Sequence, residues 1–276
     1  MSWSSTDTVA QVNYALDEIV YPRDKLRICL VYNTPKPIEP LETELLEMEA
    51  ANPILRVIKV IGSKSKADNL NFFFTLDTGA DITAIFDCDH FPHPHNPRWA
   101  AERFISDPTV DIVQGRCVVY NTDETWFTKM IAIEFDKIYA VSHPGRSRLF
   151  GFGLFCGSNG YWKTELLRPH KMHGHMLCED IDSALRAYGK GRRAVHDMNV
   201  KSVCITRALR GLCFPFSDMP PVRDGTHLLG RFLETENAMG TRLDTSKSLV
   251  RAGSGESRLI LAGEYPSHVY DLEESS

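Results

Sequence analysis

Two aspartates one residue apart, Asp87 and Asp89, close the apolar run Ile82-Thr83-Ala84-Ile85-Phe86. Alternate residues of an extended strand share a face, so carboxylates at a strand's end can point at one ligand. Two hard oxygen ligands side by side suit Mg2+ or Mn2+ carrying phosphates. The same residues would also serve as a surface turn, since the Pro-rich stretch His90-Phe91-Pro92-His93-Pro94 that follows reads as a loop. A second pair of carboxylates, Glu179 and Asp180, opens a segment in which Ile181, Ala184, Leu185 and Tyr188 recur at helical spacing up to Gly189. In a first helical turn they either stabilise the helix dipole or do chemistry there. Lys64 and Lys66, in the turn Gly62-Ser63-Lys64-Ser65-Lys66, could hold phosphate by charge and backbone N–H groups, although the turn lacks the glycines of a P-loop. His170, His173 and His175 have no Cys or Asp partners at metal-ligand spacing and read as a loop.

The elements that must position these groups alternate. A helix from about Thr6 to Ile19 is followed by a strand over Leu26–Tyr32, then a helix opened by Pro40 with Leu41, Leu45 and Met48 on one face. Next come a strand from Leu55 to Ile61, a helix from the lysine turn to Gly79, and the strand that delivers Asp87 and Asp89. That rhythm predicts a mostly parallel sheet with helices on both faces, in which ligands bind beyond the carboxyl ends of the strands. Asn33, the turn from Ser63 to Lys66, and Asp87-Cys88-Asp89 all fall at such ends. Downstream, Trp99–Ile105 reads as a short helix and Ile112–Tyr120 as a strand. Trp126–Val141 reads as a long helix whose stripe of Phe127, Met130, Ile131, Phe135 and Ile138 belongs in the core. The glycine-rich aromatic stretch from Gly151 to Trp162 allows close backbone approach and offers faces for sugar rings, or else forms a bent, buried strand.

Composition narrows the class. The 276 residues are 43% hydrophobic, enough to fill a sizeable core, and carry a net charge of −5. With no basic stripe interleaved with aromatics, nucleic acid is excluded as the main partner, and an anionic substrate must be met by a metal and local cations. The seven cysteines form no CxxC pair, which excludes a zinc knuckle or disulfide framework and fits a reducing, cytosol-facing compartment. No run reaches the ~18–20 apolar residues needed to span a bilayer.

Four separated motifs stand in an order that identifies a family. Ser65-Lys66-Ala67-Asp68-Asn69-Leu70-Asn71, Phe86-Asp87-Cys88-Asp89-His90, Phe155-Cys156-Gly157-Ser158-Asn159 and Cys178-Glu179-Asp180 together resemble the processive family 2 glycosyltransferases. These are the cellulose-synthase-like and hyaluronan- or chitin-synthase-like enzymes, whose GT-A fold is a Rossmann-like nucleotide-sugar-binding domain. The resemblance covers residues 6–205 and leaves 206–276 as a divergent, disordered tail. It implies an inverting transfer from a nucleotide sugar, a UDP-sugar above all, to a glycan acceptor hydroxyl. Asp87 and Asp89 would hold Mg2+ or Mn2+ on the donor diphosphate, Lys66 would bind the donor, and Phe155, Cys156, Gly157 and Ser158 would position the acceptor. Asp180 would be the general base, with Glu179 as its neighbour.

Departures from the family pattern accompany the matches. The domain's usual first strand, ending in a Pro-x-x-Asn-Glu-like nucleotide-binding turn, has no room before residue 6, and Asn33 stands where the second strand often ends in an acidic residue. The family's Gln-x-x-Arg-Trp motif is absent after Asp180, since the last tryptophan is Trp162. The sequence therefore reads as truncated at both ends, with a gap in its sheet. Family members are membrane-embedded with a cytosol-facing catalytic domain, whereas this chain reads as soluble or peripheral. Two alternatives stay open. One is a catalytically dead binding module of the same fold. The other is a haloacid-dehalogenase-like phosphohydrolase with Asp87 as nucleophile, although Phe91 replaces the Thr or Val usual there.

Overall fold

The computed structural model describes residues 5–206 and 259–265. Its sheet is eight-stranded: β1 (Leu26–Tyr32), β2 (Leu55–Lys59), β3 (Ile82–Asp87), β4 (His90–Pro92), β5 (Ile112–Val119), β6 (Gly160–Lys163), β7 (Ala194–Cys204) and β8 (Leu259–Tyr265). Across the sheet they lie in the order β2-β1-β8-β3-β6-β5-β7-β4, and all but β6 and β4 run the same way. The helices are α1 (Ser5–Asp17), α2 (Leu41–Ala51), α3 (Lys66–Phe73), α4 (Asn96–Ser106), α5 (Trp126–Asp136), α6 (His143–Phe150), α7 (Thr164–His170) and α8 (Glu179–Gly189).

Strand alternation builds a core on each face. In β1, Ile28 and Leu30 join Val12, Leu16, Leu41 and Leu45 of α1 and α2, whereas Cys29 and Val31 point the other way, toward Ala67, Leu70 and Phe73 of α3. A strand buried on both faces must be apolar, which is why β1 after exposed Arg27 reads as an unbroken hydrophobic run from Ile28 to Tyr32. α3 starts where Ser65 Oγ accepts the Asp68 N–H at 3.1 Å.

The gap expected from the sequence is filled. β8, from the segment read as a divergent tail, lies parallel between β1 and β3, pairing Ile28 with Leu261 and Ile85 with Ala262. Leu259 and Leu261 enter one core and Ile260 the other, all three buried. At about 1.5–3 kcal/mol per fully buried aliphatic side chain, these three contacts alone rival the net stability of a small domain. The rest of that tail, 207–258 and 266–276, lies outside the described residues.

Three sequence expectations need correction. The helix from the lysine turn stops at Phe73, not Gly79. The long helix beginning at Trp126 passes through a π-helical segment, Lys137–Ser142, and continues as α6. Its stripe is only half-buried, and Met130 is exposed beside Trp126 and Ile133. On α8 the packed face is Ser183, Ala184 and Ala187, while Ile181, Leu185 and Tyr188 face outward. Ala184 and Ala187 join the core cluster that holds Phe155, Trp162 and Leu167, and Ser183 meets buried His170.

Candidate active site

The end of β3 is tied down from three sides. Asp87 N–H donates to Ser158 Oγ at 3.0 Å, and Asp87 Oδ1 accepts from Lys66 Nζ. From α1, Gln11 Nε2 donates to the Asp87 carbonyl at 2.9 Å and to the His90 carbonyl at 2.8 Å, fixing the turn between β3 and β4. Lys66 itself begins α3, so the turn that precedes it sets its reach. Asn33, at the end of β1, donates to the Ser63 carbonyl at 2.9 Å and accepts from Asn69 Nδ2 at 2.9 Å. The three strand ends singled out in the sequence thus form one connected wall.

Asp89 has a separate partner, for its Oδ1 lies 2.8 Å from His90 Nδ1. Burial disfavours charge on this carboxyl, but the hydrogen bond and charge of His90, with Lys66 nearby, prevail and hold its pKa below the usual value. Asp87, Asp89 and His90 each offer one ligand atom, all within 4.8 Å of one another. Two carboxylates this close, one of them held ionised, fit Mg2+ or Mn2+, and the imidazole held against Asp89 orients that carboxylate.

The loop from Phe155 to Asn159 forms the opposite wall, and it is braced by buried amides. Gln114 Oε1 accepts the Cys156 N–H at 2.9 Å while its Nε2 donates to the Ser158 carbonyl at 2.9 Å. Asn159, in a left-handed conformation (φ 52°), donates to the carbonyls of Arg116 and Val200 at 3.1 and 3.2 Å and accepts from Asn96 Nδ2 at 3.0 Å. Phe155 is buried edge-on against Trp162 rather than offered to a ligand. Within this loop Cys156 alone is partly exposed, and Gly157 is buried.

Gly157 is where the two carboxylate sites meet. It has φ +81°, and a Cβ there would lie 2.9 Å from Asp180 Oδ2. On its other side, the Gly157 carbonyl accepts from Lys66 Nζ at 3.0 Å. Asp180 lies in the first turn of α8, partly exposed, with Oδ1 accepting its neighbour Ile181 N–H at 2.7 Å. Burial pushes the Cys156 thiol pKa up, and the Asp180 carboxylate nearby adds to the shift. Glu179 is also partly exposed. Of the three histidines, buried His170 lies 2.9 Å from Ser183 Oγ and His173 lies 3.1 Å from Asp182, so they serve as packing and surface contacts around α8.

Gln11, Asn96 and Gln114 escape the sequence reading, whereas His90 and Asn159 stand inside its motifs but are given no role there. A buried Gln or Asn that braces a loop looks like any surface residue in a sequence.

A DxD pair beyond the carboxyl end of a central strand, faced by a glycine loop and a carboxylate at a helix N-terminus, defines a GT-A glycosyltransferase fold. The solved neighbours have this fold. They include a mannosyltransferase from Pyrobaculum calidifontis in complex with GDP-Man and Mn2+ (TM-score 0.58, 22% identity, 86% of this chain and 62% of that one). Another is TarS 1–349 of S. aureus in complex with UDP-GlcNAc (TM-score 0.54, 13% identity, 85% and 70%). Residues 82–207 match the model of "Glycosyl transferase family group 2". Among the chain's relatives, "Probable glucomannan 4-beta-mannosyltransferase 14" of Arabidopsis thaliana is 28% identical over 122 residues, 44% of this chain and 23% of that protein. "Probable glycosyltransferase YdaM" of Bacillus subtilis is 24% identical over 187 residues, 66% and 44%. The chain thus spans under half the length of either relative. The GT-A fold sets aside the phosphohydrolase alternative. Among the described residues no helix is long and apolar enough to cross a membrane.

Proposed function

We propose that the chain is the catalytic domain of an inverting transferase that moves a sugar from a nucleotide-sugar donor to a glycan hydroxyl. The observation that carries this reading is the meeting at Gly157 of the Lys66–Asp87 pair on one side and Asp180 on the other. Asp87 and Asp89 hold the donor through Mg2+ or Mn2+, which when bound stabilises negative charge on the departing diphosphate. Lys66 adds a cation to the same phosphates. Cys156, Gly157 and Ser158 present the acceptor, while Phe155 supports their loop from within.

Asp180 takes the proton from the acceptor hydroxyl as that oxygen attacks the anomeric carbon. The bond from that carbon to the diphosphate oxygen breaks on the opposite face, so configuration inverts. Residues 6–205 form the domain and β8 completes its sheet. The cytosolic face of a membrane suits it, a reading supported by the free state of all six described cysteines.

The family resemblance implies a UDP-sugar. The relatives named glucomannan 4-beta-mannosyltransferases add GDP-mannose as a second donor to try. Purified chain incubated with Mn2+ and either donor should release nucleoside diphosphate in step with glycan growth, and NMR of the product should show an inverted linkage. Binding of neither UDP nor GDP in the presence of Mn2+ would leave a dead module of the same fold.

A further inference from the structure

Lys66 Nζ is bonded to the carboxylate oxygen Asp87 Oδ1 and to the Gly157 carbonyl, the latter at 3.0 Å. Its side chain is 27% exposed and that of Asp87 35%, so the pair is only partly screened by water. A cation placed between Asp87 and Asp89, whose ligand atoms lie within 4.8 Å of each other, must sit beside this ammonium. Three positive charges would then crowd onto two carboxylates, one of which, Asp89, already holds His90. Ser65 caps α3 directly before Lys66, so the helix start is fixed and only the lysine stem can move.

We infer that Lys66 and the divalent cation compete for Asp87, so that the chain takes up its cation well only together with a nucleoside diphosphate. This rests on the donor-binding role proposed above. The diphosphate brings the negative charge that both cations need, and it draws the ammonium off Asp87 toward its own oxygens. Because Lys66 also holds the Gly157 carbonyl, the same shift reaches the loop that touches Asp180. Metal, donor and acceptor loop are thereby linked through one side chain, and Lys66 is a positioning residue as well as a donor contact.

The test is calorimetric titration with MnCl2 alone, and with UDP or GDP in saturating Mn2+. It compares the unaltered chain with Lys66→Met, Lys66→Gln and Lys66→Arg, each checked for folding by circular dichroism. Removing the charge should tighten Mn2+ binding in the absence of nucleotide by about tenfold. It should weaken nucleotide binding in Mn2+ by about tenfold or more, and Lys66→Arg should resemble the unaltered chain in both. If neither neutral variant binds Mn2+ alone more tightly, the competition is refuted. Should Lys66→Met fail to fold, Lys66→Gln, which keeps a donor for the Gly157 carbonyl, decides the matter. Failure of every form to bind UDP or GDP would overturn the donor reading instead, while the Mn2+ titrations would still decide the competition.

Discussion

Asp87 and Asp180 are carboxylates on opposite sides of one glycine, yet they are held in different ways. Asp87 ends a strand buried in the sheet, with its backbone bonded to Ser158 and Gln11 and its side chain to Lys66. Asp180 stands in the first turn of α8, and the loop before it exposes Met176, Leu177 and Cys178. The difference matches the tasks proposed for them. A donor site needs fixed oxygens to set cation geometry, whereas a base must meet an acceptor that arrives, advances and leaves.

Separating the two roles gives the largest effect. Asp180→Asn should lower turnover by about 10²–10⁴-fold while leaving Mn2+-dependent nucleotide affinity unchanged. Parallel loss of both would mean that Asp180 belongs to the donor site. Acid should reach both regions through buried imidazoles, since burial lowers the pKa of His93, near the donor wall, and of His170, under α8, to about 4. Each stays neutral in the fold while the unfolded chain takes up a proton below about pH 6.5, so stability is intact above that pH and falls as pH drops toward 4. Each contributes at most roughly 3 kcal/mol. Urea unfolding at pH 7 and pH 4.5 measures the loss, and a flat profile would contradict it.

Asp89→Ala should weaken nucleotide binding in Mn2+ by about 10–100-fold, as read by calorimetry. The smallest effect is expected at the boundary between the regions. Gly157→Ala places a methyl 2.9 Å from Asp180 Oδ2 at φ +81°, so turnover should fall about tenfold as the base is pushed aside. Nucleotide affinity should hold, and steady-state kinetics beside the calorimetry would reveal any spread into the donor side.

In the donor half, β1 and β3 are legible in the sequence because they are buried on both faces. β1 matches its predicted bounds, and β3 differs only by including Asp87. The far half is less legible. β7 carries His196, Asp197, Asn199 and Lys201 within its span and has a register shift opposite Gly115 and Arg116, so no clean alternation marks it as a strand. β4 passes for a Pro-rich loop because it is three residues long. At the site, Asp87, Asp89, Lys66 and Asp180 stand out as charged residues beside apolar runs. Gln114 and Asn159, which shape the loop between them, are recognisable only from the partners they find when buried.

The position of β8 also bears on how the molecule is made. β1 and β3 are both complete before residue 90 leaves the ribosome, but the strand that joins them is not translated until residues 259–265. Until then each presents an unpaired edge and apolar faces to the cell. Contacts so distant in sequence form slowly, and half-built sheets of this kind recruit foreign strands. Until residues 259–265 emerge the nascent chain is open to misassociation at these edges, and a premature stop before residue 259 removes the strand between β1 and β3.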